Sequence, residues 1–162
     1  MGFLDRLVGT SRPDGGVAAR PAAAVRAALL AVGAVDAPYT VSEQEDGRLS
    51  ARWRIEEPTW QTYFLERDVD RTIEVEMRLD GEAHEVRHVT KELTVTSEEG
   101  SLHVSRQASV SRGNSRTVSK RWTVGGDGVD ETFSFDSAEL TGALERACLE
   151  QGWTWKGVIG RL

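Results

Sequence analysis

The sequence contains one cysteine, Cys148, and this scarcity excludes a fold held together by internal disulfide bonds. Secreted domains of this size more often carry an even set of cysteines, so a lone thiol favours a reducing compartment. Cys148 lies between Leu144 and Leu149 in a predicted helix, where a thiol usually packs as a small hydrophobic group. We therefore expect a cytoplasmic protein without a catalytic cysteine.

Long apolar runs and clustered positive charge are also missing. The longest uncharged apolar stretch covers residues 27–35, far short of the roughly 20 residues that a membrane-spanning helix needs. The chain has 20 Lys and Arg against 26 Asp and Glu, a net charge of −6 and no basic stripe, so its field repels nucleic acid and anionic lipid. We expect neither a transmembrane segment nor a nucleic-acid partner.

The length and the remaining composition of the chain predict one globular domain. With 162 residues, 39% of them hydrophobic and 28% charged, the chain is long and apolar enough to bury a core. We predict a short amphipathic segment and flexible linker over residues 1–19, and a single α+β domain over residues 20–162. The apolar face of the first segment favours packing on its own domain, with peripheral docking to a membrane surface or another protein as the alternative. That face consists of Phe3, Leu4, Leu7 and Val8.

Periodicity along the chain predicts the fold class. Apolar residues at helical spacing predict a helix from Pro21 to Val32 and another from Asp136 to Gln151, with one or two helical turns around Trp60. Alternating apolar and polar residues predict strands elsewhere, with turn signals about every ten residues from Arg71 onward. We therefore expect a curved antiparallel sheet of about seven strands, a meander, with an N-terminal and a C-terminal helix packed on its apolar face. Trp153 and Trp155 predict a last extended segment that returns to the sheet.

One segment, His84-Glu85-Val86-Arg87-His88, matches the pattern in which a helix presents two histidines to zinc and a glutamate acts as base. A zinc-dependent hydrolase is therefore the alternative function. The segment follows an Asp80-Gly81 turn and lies among β-branched residues, which favours a strand, in which the two histidines would stand about 13 Å apart. The apolar pattern shifts by one residue after Val86, which predicts a β-bulge near His88. We expect no bound zinc and no other cofactor.

Two cations interrupt apolar rows that otherwise predict buried strand faces. Arg106 lies in a predicted strand from Leu102 to Val110, and Lys120 lies in the next strand. A hairpin through residues 113–115 would place Arg106 opposite Trp122. Buried cations need partners, so we expect these residues to occupy an edge or to extend their stems over Trp122. The alternative is that they line a pocket for an anionic or polar-headed apolar ligand. The predicted ligand-binding residues are Arg106, Lys120, Trp122 and Trp53.

The favoured function is accordingly a non-enzymatic binding or interaction module, with a small apolar or anionic molecule or a protein as its partner. No residue set predicts a catalytic site. Residues 77–87, together with the ending Gly152-Trp153-Thr154-Trp155-Lys156-Gly157-Val158, resemble an uncharacterised family of actinobacterial proteins with no assigned function. The resemblance implies a bacterial, cytoplasmic protein and supplies no site residues.

Overall fold

The computed structural model describes residues 9–105, 109–110, 119–126, 129–136 and 138–162. Its helices are α1 (Ala22–Val32), α2 (Pro58–Glu66) and α3 (Ala138–Glu150). Its strands are β1 (Tyr39–Glu43), β2 (Leu49–Trp53), β3 (Arg71–Asp80), β4 (Glu85–Glu98), β5 (Ser101–Val104), β6 (Ser109–Val110), β7 (Ser119–Gly126), β8 (Val129–Asp136) and β9 (Thr154–Gly157). The predicted α+β class is confirmed. No helix within these ranges is long and apolar enough to cross a membrane.

The 14-residue strand β4 is the centre of the main sheet. One of its edges pairs with β3, and the sheet continues through β2 to β1, all antiparallel. Its other edge pairs in turn with β9, β6 and β5. The predicted antiparallel arrangement holds for every one of these pairs except β4–β9, which is parallel. A parallel neighbour requires a crossover connection, and the chain between β4 and β9 includes α3.

The predicted β-bulge near His88 is wrong. The register of β3 with β4 runs without a break from Asp80 opposite Glu85 to Arg71 opposite Thr94. The apolar pattern shifts because β4 is buried on both faces in this region. On the face that includes Val86, the next buried residues are polar, His88 and Thr90. On the opposite face, Val89 begins a row of buried apolar residues. Two buried polar residues therefore produced the sequence pattern that a β-bulge would produce.

The strand predicted over residues 102–110 consists of two shorter pieces, because β5 and β6 pair with different parts of β4. Strand β7 pairs with β8 in a separate two-stranded sheet, whose register places Lys120 opposite Phe135 and Trp122 opposite Phe133. The prediction that Arg106 lies opposite Trp122 depends on Arg106, which lies outside the described ranges, as do the residues of the predicted loop over 113–115.

The core lies on one face of the main sheet. Alternate residues of β2 and β3 are buried there, and α1 and α3, which contact each other, bury residues in the same cluster. Val25 and Leu29 are one helical turn apart and fully buried, and burying each such side chain stabilises the fold by roughly 1.5–3 kcal/mol. Gly33 ends α1 at a place where any Cβ would collide with the backbone nitrogen of Val41, so only glycine lets the chain pass this close to β1.

Candidate functional site

The histidine segment lies at the start of β4, against the C-terminal strand. His84 occupies the turn before β4 with a positive φ of 51°, and β4 begins at Glu85, so the predicted strand is confirmed and the segment is not helical. The backbone of β9 runs beside it: Thr154 N–H donates to the carbonyl of His84 at 2.9 Å, and Val158 N–H donates to that of His88 at 3.0 Å. The segment therefore provides an edge to which β9 pairs.

The two imidazoles of this segment pack against the two tryptophans of the C-terminal segment. The rings of His84 and Trp153 are 5.6 Å apart, and His88 stacks on Trp155 with ring centroids at 4.0 Å and an interplanar angle of 14°. His88 is 7% exposed, and burial lowers its pKa to about 4, so the ring is neutral near neutral pH. Its Nε2 lies 3.3 Å from the carbonyl oxygen of Gly9, which requires Nε2 to carry the hydrogen.

The glutamate of the segment holds β9 electrostatically. The carboxylate of Glu85 accepts from Lys156 Nζ at 3.1 Å and from Arg87 Nε at 3.3 Å. Within the described ranges no group of three His, Cys, Asp or Glu side chains could hold a metal ion. His84, Glu85 and His88 thus pack and pair with the C-terminal strand, and the hydrolase alternative gains no geometric support from them.

Two parts of the N-terminal segment contact the C-terminal strand region: Ser11 pairs with Trp155 of β9, and residues 18–20 lie beside residues 151–153. Ser11 and Trp155 exchange backbone hydrogen bonds of 2.7 and 2.8 Å, and the indole nitrogen of Trp153 donates to the carbonyl of Arg20 at 2.7 Å. Gly152 has a positive φ of 75°, and a Cβ there would collide with the carbonyl oxygen of Ala18. Part of the predicted linker is therefore in close contact with the domain, while the division at residue 20 stays a prediction. Phe3, Leu4, Leu7 and Val8 lie outside the described residues.

A cavity of about 260 Å³ opens on the sheet face that alternates with the core, and we call it the Arg52 cavity. Thr40 lies directly opposite Arg52, and Thr72 lies directly opposite Leu93, so these side chains share one face. The loop before α2 and strand β5 supply the remaining wall. Residues that line it include Thr40, Arg52, Trp53, Thr72, Leu93 and Val104.

Arg54 also lines the Arg52 cavity, but its guanidinium is fully used. It donates to both carboxylate oxygens of Glu57 at 3.1 Å, to the carbonyl of Tyr39 at 3.2 Å, and to those of Gly33 and Ala34 at 3.4 and 3.3 Å. This side chain therefore fixes the end of α1, the start of β1 and the start of α2 relative to one another.

Arg52 differs, because its guanidinium makes no hydrogen bond or ion pair with any residue that the structure describes. Its cross-strand neighbour Glu74 instead accepts from the Ser50 hydroxyl at 2.7 Å. Thr72 is 2% exposed, and its hydroxyl has no hydrogen-bond partner in the described part of the chain. A buried hydroxyl left in this state costs about 1–3 kcal/mol. The cavity thus combines an unpartnered cation with an unsatisfied hydroxyl beside apolar Leu93.

Of the predicted ligand-binding residues, Trp53 lines this cavity, but its side chain is 3% exposed and belongs to the core on the other face of the sheet. Its ring packs edge-on against Tyr39 at 5.2 Å and Phe64 at 6.1 Å. Arg106 lies outside the described residues, and Lys120 and Trp122 are described only by their positions on β7. Sequence reasoning missed Arg52 as a site residue, although its alternation with Trp53 could have indicated that it lies on the opposite face.

In comparisons with known proteins, no protein-family model, curated protein or solved structure matched the chain. The actinobacterial resemblance therefore stays a hypothesis.

Proposed function

We propose that the protein is a non-enzymatic binding module whose Arg52 cavity receives a small organic anion with an apolar part. The observation that carries this proposal is the guanidinium of Arg52, which has no partner among the described residues and lines a cavity with apolar Leu93 and Val104. A cation beside a concave, partly apolar surface is the arrangement by which a carboxylate with a hydrocarbon part is recognised.

The chemistry of the lining residues narrows the ligand class. A guanidinium presents two parallel N–H groups that match the two oxygens of a carboxylate. An apolar body covering Leu93 and Val104 would gain about 25 cal/mol for each Å² of apolar surface removed from water. The volume, about 260 Å³, is slightly below the roughly 300–1,000 Å³ typical of ligand pockets, which favours a small molecule.

Binding is favoured over catalysis because the carboxylates at the cavity already have partners. Glu57 accepts from Arg54, and Glu56 accepts from the backbone nitrogen of Val104 at 2.9 Å. The described residues that line the cavity include neither histidine nor cysteine. These residues thus offer no free general base and no thiol nucleophile.

The test is a titration of the full chain with hexanoate and benzoate, followed by backbone NMR shifts of β2, β3 and β4. We expect Arg52→Gln to weaken carboxylate binding about tenfold, the size of losing a charge-assisted hydrogen bond. The matched control is Arg146→Gln, which removes the same charge from another exposed arginine that does not line this cavity. Equal weakening by both variants, or no shifts at the cavity, would overturn the proposal.

A second variant separates ligand recognition from folding. Thr72→Val replaces the unsatisfied hydroxyl with a methyl group of the same shape, so we expect the free protein to be unchanged or more stable. If the hydroxyl bonds the ligand, the same variant binds carboxylate more weakly. Lower stability without any loss of affinity would remove Thr72 from the proposed site.

We also propose that this module works in a bacterial cytoplasm. The single cysteine supports a reducing compartment, because secreted domains of this size more often carry an even set of cysteines. Native mass spectrometry of protein purified from its own host would identify a retained ligand.

A further inference from the structure

Positive charges are concentrated at the end of the main sheet where β3 turns into β4. Arg78 on β3 lies directly opposite Arg87 on β4, and Arg87 pairs in register with Lys156 on β9. Three cations therefore stand side by side across three adjacent strands of a chain whose net charge is −6. Like charges directly opposite one another are destabilising, so this row requires compensation.

Carboxylates in the described part of the chain compensate the positive charge of only two of these three residues, Arg87 and Lys156. Arg87 contacts the carboxylate of Asp80 at 3.0 Å and that of Glu85 at 3.3 Å, and Lys156 contacts Glu85 at 3.1 Å. The second oxygen of Asp80 accepts from the backbone nitrogens of Glu82 and Ala83 in the turn, at 3.2 and 3.1 Å. The side chain of Arg78 makes no hydrogen bond or ion pair with a residue in the described ranges.

A cavity of about 470 Å³ opens at this end of the sheet. Three arginines line it from three chain segments: Arg78 from β3, Arg87 from β4 and Arg161 from the residues after β9. Like Arg78, Arg161 has no hydrogen bond or ion pair with the part of the chain that the structure describes. Asp80 and Glu82 also line the cavity; Asp80 is engaged as above, and Glu82 is exposed. We call the three arginines the Arg78 cluster.

We propose that the Arg78 cluster binds a phosphate group carried by a small molecule. A phosphate offers several acceptor oxygens in a tetrahedral arrangement, which suits guanidinium groups that approach from three segments, whereas a carboxylate occupies one fork. A small molecule is favoured over a bilayer headgroup because the negative charge of the whole chain repels an anionic membrane surface. This site is separate from the Arg52 cavity and does not depend on the function proposed there.

The test titrates the full chain with glycerol 3-phosphate at constant ionic strength and follows the backbone NMR signals of residues 78–88. We expect saturable shifts at the turn, with affinity about tenfold weaker in Arg78→Gln and in Arg161→Gln. Affinity should be unchanged in Arg146→Gln, which removes an exposed arginine that does not line this cavity. Arg78→Gln removes a like-charge contact with Arg87, so we expect it to unfold at the same urea concentration as the wild type, or at a higher one.

Three results would overturn the proposal. One is the absence of saturable shifts at the turn, and another is equal weakening by Arg78→Gln and Arg146→Gln, which would show a response to net charge alone. The third comes from sedimentation with vesicles containing phosphatidic acid: binding to the vesicles without binding to glycerol 3-phosphate would identify a membrane as the source of the phosphate.

Discussion

Replacing Gly152 with alanine tests whether residues 18–19 are seated against the start of the C-terminal strand in solution. Gly152 has a φ of 75°, and its added Cβ would collide with the Ala18 carbonyl oxygen and lie 2.6 Å from the carbonyl carbon. Gly47 is the matched control, because its φ is 82° and an added Cβ would meet nothing within 4 Å. The two substitutions share backbone strain and differ in steric contact.

The expected losses in the free energy of unfolding follow from the backbone strain and the steric contact. A left-handed conformation costs an alanine about 1–2 kcal/mol, which is the whole loss expected for Gly47→Ala. Forcing an extra methyl group against packed backbone adds about 1–3 kcal/mol, so Gly152→Ala should lose about 2–5 kcal/mol. The difference between the two variants is the cost of displacing the N-terminal segment.

Urea unfolding followed by tryptophan fluorescence measures both variants, since Trp153 and Trp155 lie directly beside the substituted position. An additional loss of about 1 kcal/mol or more in Gly152→Ala would support the close approach. Equal losses would refute the reasoning, because they would mean that residues 18–19 do not pack against Gly152 in solution.

Two further predictions concern His88 and Arg54. The folded-state pKa of His88 is about 4 against an ordinary value of 6.5, so the folded protein binds fewer protons than the unfolded chain between these values. The contribution of neutral His88 to the free energy of unfolding should therefore be fully present above about pH 6.5, and about 3 kcal/mol of it should be lost as the pH drops to about 4. His88→Phe keeps the aromatic contact and should abolish this part of the pH dependence. Parallel plots of stability against pH for the variant and the wild type would contradict the prediction. Arg54→Lys keeps the charge but loses the planar fork of N–H donors, so it should lower the free energy of unfolding measured in urea by about 2–3 kcal/mol. The control Arg52→Lys should lower it by less than about 0.5 kcal/mol. Similar losses in the two variants would show that the contacts of Arg54 do not hold α1 in place.

Local sequence patterns were sufficient to predict most helices and strands of this fold. Helical spacing in α1 and alternation in β3 depend on neighbouring residues, and both were predicted within one or two residues. The extended segment at Trp155 was predicted as well, but its partner was not. That pairing is parallel and joins residues far apart in the chain, so no local signal encodes it.

The candidate sites were harder to predict, because a site depends on register between strands. Arg52 and Leu93 share a cavity only because β2, β3 and β4 pair in one particular register. Arg78 and Arg87 are adjacent for the same reason. In the sequence each of these arginines is an ordinary outward-facing residue of an alternating strand.

The position of β9 on β4 has a consequence for how the chain acquires its structure. Val86 pairs with Trp155, so this edge of β4 has no β9 partner until about 70 further residues have been synthesised, and closing such a separation makes the pairing slow. At translation rates of about 5–20 residues per second, the edge stays open for several seconds. An unpaired strand edge can recruit another chain, and charged side chains discourage this. Glu85, Arg87, Lys91 and Glu92 supply such charges along β4.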